Sequence, residues 1–200
     1  MIQEKSIKAT ETFLRKAKAS TAAYIDGFNL DSCCKAADII LDSQARGGRI
    51  HVTGIGKPAH VAAYVASLLA STGNPACFLH GTEAVHGSCG QLVEGDVVIA
   101  ISNSGETAEL KATVNAIHAN GCKVIAVTGN PNSWLSEHSE STIFAGVDEE
   151  GGPLGRAPRN SVNAEMIALQ ALSVLLQVEK DWDKEQYHRC HPGGKLGEMK

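Results

Sequence analysis

The sequence predicts an α/β fold in which a parallel sheet is covered by helices on both faces. Two observations carry this reading. Short continuous apolar runs, rich in β-branched residues, recur at 49–53, 76–79, 96–101, 123–128 and 141–145, with helical periodicity in the longer stretches between them. These runs lack the in–out alternation of a half-solvated antiparallel sheet, so they read as strands buried on both faces. The length of 200 residues suits one domain with a proper core. Its expected parts are N-terminal helices over 1–45, a sheet core over 46–180 and a tail loop over 181–200.

Ile7, Phe13, Leu14 and Ala17, then Cys33, Cys34, Ala37, Ile40 and Leu41, recur at helical spacing. Asp31 falls in the expected N-cap region of the second helix, and Gly47-Gly48 closes this part. Arg49–Thr53 is the first strand, Gly54–Pro58 a turn, and Ala59–Ser71 a helix of small apolar residues. Ala76–Leu79 is the second strand and Asp96–Ile101 the third and clearest. Glu106–Asn120 is a helix closed by Gly121 at C′. Lys123–Thr128 and Ser141–Ala145 complete the strands, and Val162–Gln177 is a long apolar helix.

A net charge of −4, with no run of like charges, argues against a nucleic-acid surface. Charged side chains at Glu4, Lys5, Lys8, Glu11, Arg15 and Lys16 leave no secretory apolar segment in residues 1–18. No stretch reads as an uncharged membrane span of about 18 residues. The six cysteines form no C-x-x-C pair and read as reduced thiols, so a cytoplasmic location is expected.

Parallel sheets bind ligands beyond the carboxyl ends of their strands, which directs attention to 54–58, 80–90 and 102–107. In Gly54-Ile-Gly56-Lys57-Pro58-Ala59, glycines let backbone N–H groups approach an anion at a helix start, and Pro58 suits the first turn. The same string is formally a dinucleotide fingerprint, but no acidic residue ends the second strand to hold a ribose. A tight turn with a solvated Lys57 is the plain alternative. Ser102-Asn103-Ser104-Gly105-Glu106-Thr107 follows the strongest strand, and its three hydroxyls and glycine make a phosphate cradle. An ordinary N-cap at Ser104 would explain only one hydroxyl. The Walker layout is absent, so nucleotide hydrolysis is not indicated.

His80, Glu83 and His86 are all metal-ligand types, but a six-residue separation fits no compact zinc pattern. An acid/base or hydroxyl-binding role for His86 is the stronger reading, a solvated loop histidine the plainer one. His191-Pro-Gly-Gly-Lys-Leu-Gly197 spends three glycines around a His-Pro, a costly composition for a loose terminus. It reads as an ordered loop returning to a site, that of this chain or of a neighbour.

Taken together, GIGKPAH (54–60), LASTGNPACFLHGTEAVHG (69–87), DVVIAISNSGETAEL (96–110), PLGRAP (153–158) and HPGGKLG (191–197) resemble the sugar isomerase (SIS) domain family, nearest to arabinose 5-phosphate isomerases. The resemblance implies a three-layer, five-stranded, flavodoxin-like doubly wound sheet. It implies a homo-oligomer, dimer or tetramer, with sites shared between subunits. It implies that Ser102, Ser104 and Thr107 hold the phosphate, and that Lys57, Glu109, Glu150 and His191 match the family's catalytic groups, with His86 a further active-site histidine. Longer family members carry a pair of CBS modules after this domain, and this chain resembles the short form.

Two departures bear on the substrate. Pro58 stands where the family usually has Ser, and Arg159–Glu165 replaces a Ser/Thr-rich run that faces the sugar in relatives. Glu165 resembles the helix glutamate that acts as base elsewhere in the family. The expected chemistry is aldose–ketose isomerisation of a sugar phosphate through a cis-enediol, without metal or other cofactor. Glu150 or Glu165 is the candidate base, His191 or His86 opens the ring, and Lys57 steadies the oxyanion. Isomerisation of another sugar phosphate, such as a hexulose 6-phosphate, is the alternative. So is a sugar-phosphate-binding module of a transcription regulator, but the first 45 residues, which carry no excess of basic side chains, do not resemble a basic helix-turn-helix partner.

Overall fold

The structure, a computed structural model, describes residues 1–193. Strands β1 (Ile50–Gly54), β2 (Ala76–Phe78), β3 (Val97–Ile101), β4 (Lys123–Thr128) and β5 (Ser141–Phe144) form one sheet in the order β2-β1-β3-β4-β5, every pair parallel. Around it lie α1 (Glu4–Asp26), α2 (Leu30–Ala45), α3 (Lys57–Ser71), α4 (Ala108–Ala119), α5 (Trp134–Glu137), α6 (Asn160–Glu179) and α7 (Lys184–Cys190).

Successive side chains on a strand point to opposite faces. Val97, Ile99 and Ile101 join Ile50, Val52, Ile125, Val127 and Ile143 in a core completed by α2, α3 and α6. Val98, Ala100, Val124 and Ala126 form a second core with Leu110, Val114 and Ile117 of α4 and Leu135 of α5. All five residues of β3 are therefore buried, which is why the sequence shows an unbroken apolar run there. The fold is the three-layer, five-stranded α/β sheet that the sequence predicts.

The chain changes face between β1 and β3: α3 packs on one side and α4 on the other. Gly54 pairs with Ile101, so the loops that follow β1 and β3 leave the sheet side by side at its carboxyl edge. This reversal opens the crevice where doubly wound sheets take their ligands.

Several expectations are corrected. The tail loop expected from 181 contains α7, opened by a reciprocal capping box between Asp183 and Gln186. Residues 194–197 of the HPGGKLG motif lie outside the described residues. The cap of α2 is Asn29, whose side chain accepts from the Ser32 N–H, rather than Asp31. The helix expected from Glu106 starts at Ala108, with Thr107 as its N-cap in place of Ser104. Two 3-10 turns over Ala84–His86 and Ser88–Gln91, and the one-turn α5, are too short for periodicity to reveal. Finally, α6 is apolar enough to match a membrane span on length and composition, with a mean hydropathy of 1.3 over 18 residues. The reason is packing: Ala164, Ala168, Leu169, Leu172 and Leu176 are buried in the core that α6 shares with α2 and α3.

Candidate active site

The loop after β3 is strapped into one shape. Ser102 Oγ accepts from the Gly105 N–H at 3.1 Å and lies 3.3 Å from Thr107 Oγ1. Ser104 Oγ accepts from the Glu106 N–H at 3.2 Å. Gly105 has φ +66°, and a Cβ there would strike the Ser133 side chain. Its carbonyl receives the Leu135 N–H at 3.1 Å, while Glu106 Oε1 receives the Trp134 N–H at 2.8 Å and Oε2 the Lys111 ammonium at 2.6 Å. Those bonds hold the Glu106 carboxyl below the usual carboxylate range, the Lys111 contact being the largest influence. Asn103, Ser104 and Glu109 remain exposed around the start of α4, whose N-cap Thr107 makes no side-chain capping bond among the described residues. The result is a fixed loop that presents the Ser104 hydroxyl outward, with the half-buried Thr107 and the buried Ser102 behind it, at a helix start whose N–H groups suit an anion.

Beside it, Gly54 and Gly56 close the end of β1, with Gly56 at φ +67° as the cap of α3. Lys57 is exposed at the first position of that helix. A Cβ at Gly54 would press on Pro58 at 2.9 Å, so only glycine lets the strand turn this tightly into α3. The 80–86 segment packs against the end of β1 and against α4: a Cβ at Gly81 would meet the Gly54 carbonyl at 3.0 Å, and Thr113 of α4 donates to the Gly81 carbonyl. His80 is used locally, its Nδ1 lying 3.1 Å from Thr82 Oγ1 and accepting from the Glu83 N–H. His86 and Glu83 are exposed. No three His, Cys, Asp or Glu side chains converge as a metal site would require, among the described residues.

Glu150 and Glu165 come together at the start of α6 in two unlike environments. Glu150 is bonded to the opening turn of that helix. Its Oε2 accepts from the N–H groups of Arg159 (2.5 Å) and Ser161 (3.3 Å), and its Oε1 from Ser161 Oγ at 2.5 Å. Glu165, one turn further on, is fully buried, and neither oxygen has a hydrogen-bond partner among the described residues. Burial first, and the neighbouring Glu150 charge second, push its carboxyl up to about 8. Bonds from Gln170 to Tyr64 and between Thr72 and Ser173 lay α6 alongside α3, which sets Glu165 level with the opening turns of α3. Arg159 points away from this pair, its guanidinium 5.8 Å over the Phe13 ring.

His191 is the exception. It ends α7, stacked on Tyr187 with ring centroids 4.0 Å apart. Its neighbour Cys190 lines a groove with Arg49, Pro75, Ala76 and Cys77, all at the amino ends of β1 and β2. A five-residue strand, roughly 15 Å, separates that edge from the loops at 54–57 and 102–107. One chain thus gathers Lys57, His86, Glu109, Glu150, Glu165 and the 102–107 loop at the carboxyl edge of the sheet, and leaves His191 at the other. The sequence reading missed Ser161, which fixes Glu150, and the strap from Glu106 to residues 133–135. A serine in the opening turn of a helix was the visible signal for the first. The second is a long-range contact with no local trace.

The SIS domain profile matches residues 43–175. The arabinose 5-phosphate isomerase KdsD of Pseudomonas aeruginosa is 40% identical over 167 residues, which cover 84% of this chain and 50% of that protein. The KdsD of Francisella tularensis is 39% identical over 163 residues, 82% of this chain and 50% of that protein. The chain therefore spans about half the length of these curated relatives. Among solved structures, Escherichia coli CFT073 c3406 in complex with arabinose 5-phosphate superposes with a TM-score of 0.87 at 31% identity, covering 96% of this chain and 100% of that one. With the doubly wound sheet and the hydroxyl loop at its switch point, these matches establish that the chain belongs to the SIS domain family.

Proposed function

We propose that the protein is a sugar-phosphate isomerase that interconverts D-arabinose 5-phosphate and D-ribulose 5-phosphate by moving a proton between C2 and C1 through a cis-enediol. The observation that carries this reading is the buried, unpartnered Glu165, whose carboxyl is raised to about 8 near the start of a helix that begins at the same edge of the sheet as the hydroxyl loop. A base tuned close to neutral pH suits abstraction of a proton next to a carbonyl. Glu150 is the weaker candidate, because its lone pairs are engaged by Arg159 and Ser161. It acts instead as the charge that tunes Glu165.

In this reading Ser102, Ser104, Thr107 and the first N–H groups of α4 hold the phosphate, remote from the reacting carbons, and that binding energy positions C1 and C2. Lys57 faces the developing oxyanion from the start of α3. His86 passes the proton that opens the ring. The segment 149–159 moves to admit the sugar to Glu165. The identities with KdsD proteins and the likeness to the c3406 complex with arabinose 5-phosphate support this substrate. The site is completed by a second copy, whose His191 reaches the carboxyl edge that its own chain cannot. Ile7 and Leu14 of α1, 50% and 59% exposed, offer that copy an apolar contact.

The test is isomerisation of arabinose 5-phosphate by the purified chain, without added metal, followed by NMR in deuterated water. Conversion to ribulose 5-phosphate with solvent deuterium at C1 is the expected result. Turnover of a hexulose 6-phosphate but not of arabinose 5-phosphate would transfer the reading to that sugar, and binding without turnover of either would overturn it.

A further inference from the structure

At the edge of the sheet opposite the candidate site, three side chains line up in a way that the isomerase reading does not use. His51 and Asp96 are fully buried, with His51 Nε2 2.8 Å from Asp96 Oδ2. The other ring nitrogen, Nδ1, lies 3.4 Å from Cys77 Sγ. Asp96 also accepts from the N–H groups of Arg49 (2.8 Å) and Val93 (3.0 Å), and the Arg49 guanidinium approaches it at 3.5 Å. Burial opposes its charge, but these donors and His51 prevail and hold the carboxyl below its usual range.

An ionised Asp96 can only accept, so the hydrogen between it and the ring belongs to His51 Nε2. Burial, only partly opposed by Asp96, lowers the His51 pKa, so the ring is neutral at pH 7. Its Nδ1 is then a bare lone pair aimed at Cys77, and the S–H donates to it. Anchoring the strand ends through Arg49 and Val93 requires Asp96 alone, whereas the Cys77 contact creates the nucleophile–base–orienter sequence of an activated thiol. Cys77 lies on the edge strand β2 and is partly exposed, and it lines a groove of about 450 Å³ together with Trp182 and the exposed Cys190. Burial, more than any charge nearby, raises the Cys77 thiol, so it rests protonated and reacts by passing its proton to His51.

We propose that Cys77, His51 and Asp96 form a base-activated thiol site at which a hydroperoxide oxidises the protein, with Cys190 as the thiol that resolves the product into a disulfide. In the first step the Cys77 sulfur pair attacks the nearer peroxide oxygen while His51 Nδ1 takes the S–H proton. The O–O bond breaks, and the departing hydroxide or alkoxide recovers that proton and leaves as water or alcohol. Cys77 becomes a sulfenic acid, oxidised by two electrons, and the peroxide is reduced by two. In the second step the Cys190 sulfur attacks the sulfenic sulfur, the S–S bond forms, and the hydroxyl leaves as water with the Cys190 proton. The product would pin the end of α7, and His191 with it, to the edge of β2.

The site stands independently of the isomerase reading, and so does its test. The reduced full chain is treated with a few equivalents of hydrogen peroxide and mapped by mass spectrometry without reduction. A Cys77–Cys190 linked peptide, lighter by two hydrogens, is the expected first product. Cys190→Ser should stop at a sulfenic acid on Cys77 that dimedone captures, and Cys77→Ser should yield neither species. On the unaltered chain, iodoacetamide labelling of Cys77 should fall about threefold or less from pH 8 to pH 6.5, because a neutral histidine base persists there. Free cysteine in the same tube should slow about twentyfold as its thiolate disappears. Labelling of Cys77 that falls in step with free cysteine would overturn the proposal, as would dimedone capture at Cys34 before Cys77 or a Cys77 sulfenic acid that persists beside an intact Cys190.

Discussion

Glu165→Gln should make the protein more stable at alkaline pH and far less active. The carboxyl titrates near 4.5 when unfolded and at about 8 when folded. Between those values the folded state binds a proton that the unfolded state lacks, so stability must fall as pH rises. The favourable situation, with both states protonated, holds below about pH 4.5, and the loss is complete only above pH 8. Each pH unit between the two values is worth about 1.36 kcal/mol, so the wild-type chain loses up to about 4 kcal/mol from this one group between pH 5 and pH 9. Glutamine has nearly the same volume and no charge, so its stability should lack that component. The assay is urea unfolding of both proteins at pH 5, 7 and 9, reading the difference between them, which cancels the titrations they share. A buried amide without partners carries its own fixed cost, which shifts the difference at every pH equally. The difference should grow with pH in favour of the variant. A difference flat to within about 1 kcal/mol would mean that Glu165 ionises freely in the folded chain, and the tuned-base reasoning would fail with it. In the same reading kcat for the wild type should rise with pH towards 8, where the base loses its proton, and the variant should lose roughly a hundredfold or more.

Three further outcomes follow from the site. Gly105→Ala should weaken phosphate binding strongly and cost about 2 kcal/mol or more of stability, because a Cβ at φ +66° collides with Ser133; calorimetric titration with inorganic phosphate and a melt read the two effects. Ser104→Ala, at an exposed hydroxyl whose local bond is only to the Glu106 N–H, should raise the dissociation constant for the sugar phosphate about tenfold with an unchanged melt, and an unchanged constant would remove it from the cradle. His191→Ala and Lys57→Ala should each be inactive alone, yet mixtures refolded together should regain up to about a quarter of wild-type activity if each site draws the two residues from different copies, and mixtures as inactive as their parents would refute a shared site.

The sheet was legible because burial on both faces writes itself into the sequence as runs such as Val97–Ile101, and the switch-point loops follow from strand order alone. Glycines that need positive φ, at 56, 105 and 121, were visible for the same local reason. Less visible was anything that depends on two distant segments meeting. Nothing near Glu150 in sequence announces that it will accept from Arg159 and Ser161, and nothing near Glu106 announces Trp134. His51 hid inside a strand, where its only neighbours in sequence are the apolar Ile50 and Val52 and its partners Asp96 and Cys77 lie 45 and 26 residues away. The resemblance that placed His191 with Lys57 and Glu150 concerned an assembled site, whereas one chain holds them at opposite edges of the sheet.

Three long helices begin at the carboxyl edge, and only some of them can take a phosphate. A helix start attracts one anion, since its free N–H groups and dipole are spent within the first turn. At α6 that place is filled from within by Glu150, at 2.5 Å from the Arg159 nitrogen, so an incoming phosphate would meet a carboxylate rather than open donors. At α3 the glycine cap supplies no side-chain bond and Pro58 removes one of the N–H groups, leaving a start suited to a single charge such as an oxyanion beside Lys57. At α4 the cap Thr107 makes no side-chain capping bond, its hydroxyl meeting only Ser102, and the nearby Glu106 carboxylate is turned to Lys111 and the Trp134 N–H rather than to the N–H groups of the first turn, among the described residues. Of the three starts, α4 is therefore the one left open to an anion, which is the reason the proposed phosphate site is placed there. The carboxylate that fills the start of α6 adds its repulsion to the larger effect of burial in raising Glu165 to about 8, which in the proposed mechanism brings the base close to neutral pH.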